Sequence, residues 1–450
     1  MNERVHLRSY TATLPAFIAG SDTPRAFLER CLAAVDAHET SVHAFVATHF
    51  ERARAEADAS TARWHGGRPL SPVDGMPIGV KDIIETADMP TGMGSPLFAG
   101  RHSGRDAASV RALREAGALI VGKTVTTEFA ATRPGPTCNP WDLARTPGGS
   151  SSGSAAGVAC GFMSAGLGTQ VVGSIVRPAS FCGVWGVKPT FGAIHRGGSH
   201  DFMSQSSQGV LAASLDDAWQ VMTAIAERIG GDPGARGFEG APQVPEPRLP
   251  RQLAWLETAG WPHTSSLLRD SANGAVDQLR SAGVEVLDRR RSATVERVEA
   301  ALVEAMEVTR AIITWESRWP LNIYREQDAS GLSEEMLLRL AAAEAMSLAD
   351  YHEAMARRNR IRETYRELVN EVEGCLTLSA TGPAPIGLQS TGNPAFAVPA
   401  SLLGCPALTW AALMEQGLPV GMQLIGFAHR DAELFAIAGA VSARLRLPRC

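Results

Sequence analysis

Residues 147–176 form the most informative stretch of the chain, and they read PGGSSSGSAAGVACGFMSAGLGTQVVGSIV. The stretch contains eight glycines, six serines and no charged residue. An uncharged run of this length raises the question of a membrane span, but a span needs bulky apolar residues where this run has Gly, Ser and Ala. The composition therefore predicts a buried segment whose backbone approaches its neighbours closely.

The composition of the whole chain excludes several protein classes. Of its 450 residues, 45% are hydrophobic and 20% charged, which is enough to build a large core. The net charge of −5 gives no basic field for nucleic acid or an anionic membrane. Residues 1–20 carry charges and lack the continuous apolar region of an export signal. We therefore expect a cytoplasmic protein.

Cysteine usage supports the same compartment. The seven cysteines lie far apart and form no CxxC pair, which argues against a disulfide framework and a thiolate metal site. They are Cys31, Cys138, Cys160, Cys182, Cys375, Cys405 and Cys450.

The first 70 residues have a helical pattern, and strand and helix patterns then alternate to about residue 190, which predicts an α/β fold with a mixed sheet. Apolar spacing predicts helices at 24–39 and 106–116, and short apolar runs predict strands at 76–85 and 118–121. After a Gly/Pro-rich connector, helical patterns continue to about residue 371. Strands are then predicted at 375–379, 395–398, 407–410 and 420–425, with a closing helix at 431–444.

Two segments match catalytic sequence patterns, but their neighbouring residues do not fit the structures that those patterns require. Residues 117–124 (GALIVGKT) match a phosphate-binding loop, but Ala-Leu-Ile-Val between the glycines predicts a buried strand. Residues 149–153 (GSSSG) match a nucleophile elbow, but a loop precedes them where that elbow needs a strand. The nearest histidine pair, His195 and His200, lies in a glycine-rich loop and predicts no metal site.

Lys81 allows two interpretations. It lies inside a strand-like run with apolar neighbours, where a lysine usually sits at a sheet edge and points to water. The alternative is a desolvated lysine whose pKa falls toward neutrality, so that it can accept a proton. Serines at 150–152 and Ser174 could supply hydroxyl partners, although a serine cluster is also typical of a flexible loop.

Seven short motifs follow one another over about 120 residues. They are DGMPIGVKD at 74–82, VGKT at 121–124, EF at 128–129, NPWD at 139–142, TPGGSSSGS at 146–154, GSI at 173–175 and the segment 178–190. In this order the set resembles the amidase signature family, and weaker likeness includes 392–394 and 418–423. The resemblance implies one α/β domain over 1–450, with a mixed, twisted sheet covered by helices on both faces. It further implies a signature core at 70–210, and a variable, largely helical insertion at 230–387 that shapes the substrate pocket.

The resemblance also implies a catalytic triad. The family's nucleophile falls on Ser174, its bridging serine, usually after a cis peptide bond, falls on Ser150, and its base falls on Lys81. Neutral Lys81 would take a proton from Ser150, which would take one from Ser174 during attack on the amide. This chemistry needs no metal and no cofactor.

The family's oxyanion hole, made of backbone N–H groups, falls on Val171, Val172, Gly173 and Ser174. Most members have Asp-x-Gly-Gly-Ser where this chain has Gln170 to Ser174 with valine at 172. Valine resists positive φ, so either the loop keeps a negative φ there or the hole is reshaped. Because all three triad positions are intact, we expect an active enzyme.

The function we expect is hydrolysis of a carboxylic amide, or a related C–N bond, to an acid and ammonia or an amine through a serine acyl-enzyme. One alternative is the A-type subunit of a glutamine-dependent amidotransferase that acts in tRNA-linked amidation. Another is a weakened or inactive binding protein of the same fold. The expected partner is a small-molecule amide, with a homodimer as the base-rate assembly. The sequence leaves aliphatic, aromatic, urea-like and hydrazide substrates open.

Overall fold

The computed structural model describes residues 3–131, 133–201 and 203–445 of the chain. The strands within these ranges are β1 Phe45–Thr48, β2 Pro77–Lys81, β3 Leu119–Thr124, β4 Ala165–Gln170, β5 Trp185–Lys188, β6 Ser207–Ala212, β7 Gln252–Trp255, β8 Glu285–Leu287, β9 Cys375–Leu378, β10 Ala407–Glu415 and β11 Leu418–Ile425. They form one sheet of eleven strands in the order β1-β3-β2-β4-β6-β5-β10-β11-β9-β7-β8. Its pairings are mixed, since β2 runs parallel to β3 and β4 whereas β4 runs antiparallel to β6.

The α-helices of the described residues alternate with these strands. They are α1 Leu14–Ile18, α2 Pro24–Val42, α3 Phe50–His65, α4 Ala108–Glu115, α5 Ser152–Ala159, α6 Val176–Cys182, α7 Leu215–Ile229, α8 Ser266–Ser281, α9 Ala293–Leu302, α10 Ala305–Asp328, α11 Glu334–Ala345, α12 Leu348–Arg366, α13 Val398–Leu403 and α14 Asp431–Arg444. None of these helices is long and apolar enough to cross a bilayer.

Alternating side chains of the central strands feed two separate cores. On β3, Ile120 joins an apolar cluster with α4 and α7, whereas Leu119 and Val121 join a cluster with α2 and α5. Successive residues of a strand point to opposite faces, so the helices cover both faces of the sheet. The predicted α/β fold with a helix-covered mixed sheet is confirmed.

Residues 147–176 are the buried segment that their composition predicts. Every residue of α5 and of β4 is buried. Gly166 and Gly168 of β4 allow this packing, because a Cβ on them would lie 2.9 Å from Ser154 Cβ and 2.8 Å from Ser151 Oγ. Small residues therefore let α5 lie directly against the sheet.

Most predicted elements have the predicted type. The helices at 24–39 and 106–116 correspond to α2 and α4, and the strands at 76–85 and 118–121 correspond to β2 and β3. The segment that matched a phosphate-binding loop is thus a buried strand. Residues 230–387 contain α8 to α12, and they also contribute β7, β8 and β9 to the sheet.

The strand predicted at 395–398 is wrong. This segment leads into α13, in which Pro399 occupies one of the first helical positions. Proline is favoured there because its fixed φ suits a helix and its missing N–H is not needed in the first turn. Gly404 ends the helix with a φ of 70°, a left-handed conformation that suits glycine. The apolar run was long enough for either element.

The structure describes six of the seven cysteines. All six are free, and all but the half-buried Cys138 are buried. Cys450 lies outside the described residues.

Two glycines in helices provide a test of the tight packing around α5. A Cβ on Gly153 would lie 2.1 Å from Ala44 O and 2.4 Å from Val125 N, whereas a Cβ on Gly274 of α8 would meet nothing within 4 Å. We expect Gly153→Ala to destabilise the protein by about 2 kcal/mol or more through overpacking. Gly274→Ala should stabilise it by about 0.5–1 kcal/mol, the usual gain in a helix.

The measurement is the denaturant midpoint of each variant against the wild type, by circular dichroism. A Gly153→Ala protein as stable as the Gly274→Ala protein would contradict the close approach of α5.

Candidate active site

Lys81 ends β2, a strand paired on both sides, and its side chain is completely buried. Its Nζ donates hydrogen bonds to Ser150 Oγ at 2.7 Å and to Thr169 Oγ1 at 2.8 Å. The interpretation of Lys81 as an exposed edge residue is therefore wrong. The structure instead brings the lysine together with a hydroxyl of the serine cluster.

Burial lowers the pKa of Lys81 to about 7, because a charged ammonium loses its hydration inside the protein. The negative charge of Asp201 opposes this effect and raises the pKa. Lys123 is also buried, but its Nζ lies 3.2 Å from Asp82 Oδ1 and donates to Thr91 Oγ1. Lys188 donates to the carbonyl of Pro189. Of these three buried lysines, Lys81 is the one bonded to a serine hydroxyl.

Ser150 lies in the loop before α5, and the Gly149–Ser150 peptide bond is cis. The carbonyl of Gly149 accepts a hydrogen bond from Arg177 Nη2 at 2.7 Å. The same nitrogen donates to Thr391 Oγ1 at 2.8 Å. Burial lowers the pKa of Arg177 to about 10. The peptide that carries Ser150 is thus held by a buried guanidinium.

Sequence reasoning did not assign a site role to Arg177 or Thr391. The available signal was the position of Arg177, the first charged residue after the thirty-one uncharged residues 146–176, directly after a segment whose composition predicts burial. A buried arginine needs partners for its donors. Thr391 gave no comparable signal, because it lies 214 residues further along the chain.

Ser174 lies in the loop between β4 and α6, and only 6% of its surface is exposed. Its carbonyl accepts a hydrogen bond from the N–H of Ser151 at 3.3 Å, which joins its loop to the serine cluster. Within the described residues, Ser174 Oγ makes no hydrogen bond, so the link from Ser150 Oγ to Ser174 Oγ is not formed. Of the expected relay, the structure contains the hydrogen bond between Lys81 and Ser150. Ser174 lies in a loop that is hydrogen-bonded to the neighbouring Ser151.

Side chains tie down the carbonyls of the loop before Ser174. Gln205 Nε2 donates to Val171 O at 3.0 Å and also to Thr309 Oγ1 of α10 at 3.3 Å. Ser401 Oγ donates to Val172 O at 3.2 Å. The loop is therefore attached both to α10 and to α13.

Gln170 fixes the other side of this loop. Its Oε1 accepts hydrogen bonds from the N–H groups of Ile175 at 2.9 Å and Val176 at 3.0 Å. Its Nε2 donates to Ser401 Oγ at 3.1 Å. A glutamine in place of the family's usual aspartate thus holds both ends of the loop through one amide group.

The backbone N–H groups of the loop remain available to a ligand. Those of Val171, Val172, Gly173 and Ser174 donate no hydrogen bond within the part of the chain that the structure describes. The φ of Val172 lies outside the left-handed region, so of the two expectations for this valine, the loop keeps ordinary backbone geometry. Unpaired N–H groups beside Ser174, the expected nucleophile, are what an oxyanion hole requires.

A cavity of about 120 Å³ is lined in part by α10 and α11. One wall comes from Phe129 and the segment that includes Asp201 and Met203, and the opposite wall comes from α10 and α11. Asp201 lines this cavity, and its charge is the one that raises the pKa of Lys81. The far wall of the cavity belongs to the mainly helical middle of the chain.

The paired histidines play a different part. His200 Nε2 lies 3.1 Å from Glu85 Oε1, and His195 Nδ1 accepts a hydrogen bond from the N–H of Gly197. Over residues 3–131, 133–201 and 203–445, no three His, Cys, Asp or Glu side chains gather as a metal site would require.

Comparisons with known proteins cover most of the chain and point to one family. The family model described as Amidase matches residues 26–435. The A subunit of glutamyl-tRNA(Gln) amidotransferase from Anaeromyxobacter sp. (strain K) is 35% identical over 93% of this chain and 92% of its own. Its counterpart from Chloroflexus aggregans (strain MD-66 / DSM 9485) is 32% identical over 97% of this chain and 96% of its own.

Solved structures share the fold. One described as a crystal structure of amidase has a TM-score of 0.85 and 28% identity, covering 98% of this chain and 100% of that chain. Native peptide amidase from Stenotrophomonas maltophilia has a TM-score of 0.76 and 26% identity, covering 98% of this chain and 97% of that chain. With a family match from residue 26 to residue 435 and relatives that align along nearly their full length, this chain belongs to the amidase signature family.

Proposed function

We propose that this protein hydrolyses the C–N bond of a carboxamide through a serine acyl-enzyme, with Ser174 as nucleophile, Ser150 as proton bridge and Lys81 as base. The observation that carries the proposal is the 2.7 Å hydrogen bond between a fully buried lysine and Ser150. A lysine with a pKa of about 7 is half neutral at physiological pH, and a neutral amine can accept a proton.

The steps follow from this arrangement. Ser174 Oγ attacks the amide carbonyl while its proton passes to Ser150 Oγ, whose own proton passes to Lys81 Nζ. The attack requires the Ser174 side chain to turn toward Ser150. The relay then returns a proton to the leaving nitrogen, so that ammonia or an amine departs. Water repeats the sequence on the ester and releases the acid.

The loop before Ser174 would stabilise the tetrahedral oxyanion. Its N–H groups have no competing partner in the described residues, and its carbonyls at Val171 and Val172 are held by side chains. One preorganised donor of this kind contributes about 3 kcal/mol in other acyl-transfer enzymes. The valine at 172 leaves its N–H in place, so this argument supports an active enzyme over a binding protein.

The relatives of assigned function bear on which amide is used. Those we compared are A subunits of glutamyl-tRNA(Gln) amidotransferase, aligned over nearly their whole length. They favour our second candidate, the A-type component of an amidotransferase that takes an amide nitrogen from glutamine within a complex, over a free-standing hydrolase. The solved structures described as amidase and peptide amidase support the free-standing form. Both candidates use the same serine chemistry.

The first prediction concerns the three proposed catalytic side chains. We expect Ser174→Ala and Lys81→Met to lower kcat/KM by about 10³-fold or more on any amide that the wild type hydrolyses, since each removes one member of the relay. Ser152→Ala is the matched control, because Ser152 lies in the same cluster and donates only to the carbonyl of Val125. Its activity should stay within about threefold of wild type.

Labelling with a fluorophosphonate probe supplies an independent readout. We expect the wild-type and Ser152→Ala proteins to be labelled on Ser174 and the Ser174→Ala protein not to be labelled. Near-full activity of the Ser174→Ala protein would refute the assignment, and an unlabelled wild type would favour the binding protein.

The second prediction concerns pH. Because protonated Lys81 cannot accept a proton, kcat/KM should rise about tenfold per pH unit below about pH 7 and level off above it. Asp201→Asn removes the charge that raises the pKa of Lys81, so the acid limb should move to lower pH. A limb that stays in place or moves to higher pH would contradict the coupling of these two groups.

The third prediction separates the two biological settings. The A-type component of an amidotransferase should release ammonia from glutamine about tenfold faster or more when its partner subunits are present, whereas a free-standing amidase should be unaffected. The measurement is ammonia release from glutamine by the purified chain alone and after co-expression with the other subunits of that amidotransferase. The Ser174→Ala protein serves as the blank in both arms.

A further inference from the structure

The side-chain amide of Gln170 has only one orientation that satisfies its neighbours. Gln170 ends β4 and is completely buried. Its Oε1 accepts hydrogen bonds from the N–H groups of Ile175 and Val176, at 2.9 and 3.0 Å. Because backbone N–H groups only donate, the oxygen of the amide must face them. Its NH2 group therefore faces Ser401 Oγ, 3.1 Å away.

This orientation determines the direction of the Ser401 hydroxyl. Ser401 lies on α13 and is also completely buried. The NH2 group of Gln170 can only donate, so Ser401 Oγ is the acceptor of that bond. The single proton of the hydroxyl is then left for Val172 O at 3.2 Å. A hydrogen-bond chain thus runs in one direction, from Gln170 through Ser401 to Val172, and none of its members carries a charge.

The end of this hydrogen-bond chain also sets the direction of a backbone N–H group. The peptide bond between Val172 and Gly173 is trans, so its C=O and N–H lie in one plane and point in opposite directions. A donor that holds Val172 O therefore fixes the direction of the Gly173 N–H. The side chain of Val172 packs against an apolar cluster that includes Val398 and Ala400 of α13. The hydrogen bond and this apolar contact attach the peptide to the same helix.

We propose that Gln170 and Ser401 are positioning residues that direct the Gly173 N–H group toward the oxyanion formed when Ser174 attacks an amide. This inference rests on the proposed function, in which that N–H group belongs to the oxyanion hole. It also gives a physical reason for an amide at position 170. A carboxylate there would accept the same backbone hydrogen bonds, but it could not donate to Ser401.

A carboxylate at position 170 would disturb the loop in two ways. The Ser401 hydroxyl would turn its proton to the carboxylate, so that Val172 O would lose its donor. A negative charge would also lie close to the N–H groups that stabilise the oxyanion, and it would repel the charge that develops there. The hydrogen-bond chain therefore requires a side chain at position 170 that both accepts and donates.

The test breaks the hydrogen-bond chain at two points. Gln170→Glu keeps the shape of the side chain and loses the donor, and Ser401→Ala removes the hydroxyl. We expect each variant to lower kcat by about tenfold or more and to change KM by less than about threefold, because the N–H group acts on the oxyanion and not on the bound amide. The amide used is any that the wild type hydrolyses.

The double variant shows whether the two residues act together. Gln170→Glu combined with Ser401→Ala should lower kcat by about the larger of the two single losses, because both changes break the same hydrogen bond to Val172. A double loss equal to the product of the single losses would refute the hydrogen-bond chain, as would single losses confined to KM.

Ser442→Ala is the matched control. Ser442 is a buried serine on α14, and its hydroxyl donates to the carbonyl of Gly439 at 3.3 Å. Its substitution removes one hydroxyl from a buried helix face and should leave kcat within about threefold of wild type. If Ser401→Ala affects kcat no more than Ser442→Ala does, Ser401 has no positioning role.

Crystal structures of the wild type and the Ser401→Ala protein keep this inference separate from the proposed function. We expect the Val172–Gly173 peptide to have one orientation in the wild type, and to be rotated or to occupy two orientations in the variant. An unchanged peptide would overturn the inference, whichever amide the protein hydrolyses. A rotated peptide in a protein whose wild type hydrolyses no amide and resists fluorophosphonate would overturn the proposed function alone.

Discussion

The candidate site depends on the burial of Lys81 without a counter-ion in contact. Among the described residues, no carboxylate lies within ion-pair distance of Lys81, whereas the equally buried Lys123 has Asp82 at 3.2 Å. An ion pair would have stabilised the charged ammonium and kept the pKa high. Lys81 instead has the hydroxyls of Ser150 and Thr169, which hydrogen-bond to it without neutralising a charge. Its position in a paired strand supplies the burial that lowers its basicity.

Glycines allow the close packing of the elements that carry the site. Gly166 and Gly168 leave no room for side chains between β4 and the helix that follows Ser150, so that the serine cluster lies directly on the sheet. Larger residues at these two positions would clash with Ser154 and Ser151. Of the 44 glycines of the chain, those that permit contact between elements therefore indicate where the backbone packs closely. Glycines that form turns give less information about the packing.

The sequence predicts the type of each helix and strand better than it predicts which side chains are buried. Periodicity and apolar runs were sufficient for β2, β3, α2 and α4, because those signals are local. The segment at 395–398 was ambiguous for a strand, and Pro399 decided it as a helix. Whether Lys81 is buried could not be read locally, since the answer depends on strands from three parts of the chain.

The same limit applies to the side chains around the site. Ordered motifs identified Lys81, Ser150 and Ser174 only through a family resemblance, because their spacing along the chain carries no geometric information. The hydrogen bond between Arg177 and Thr391, and the cavity that Phe129 lines together with Met336 of α11, arise from contacts across more than 200 residues. No pattern in a single sequence reports such contacts.

The double hydrogen bond of Gln205 has a kinetic consequence. One amide nitrogen contacts both the loop carbonyl of Val171 and Thr309 on α10, the helix that forms the far wall of the cavity. Under the proposed function, a ligand that displaces α10 would therefore also change how the loop presents its N–H groups to the reacting carbonyl. Binding energy from the remote end of a substrate would then be used in the transition state, so that a poorly fitting amide would be turned over slowly even at saturation.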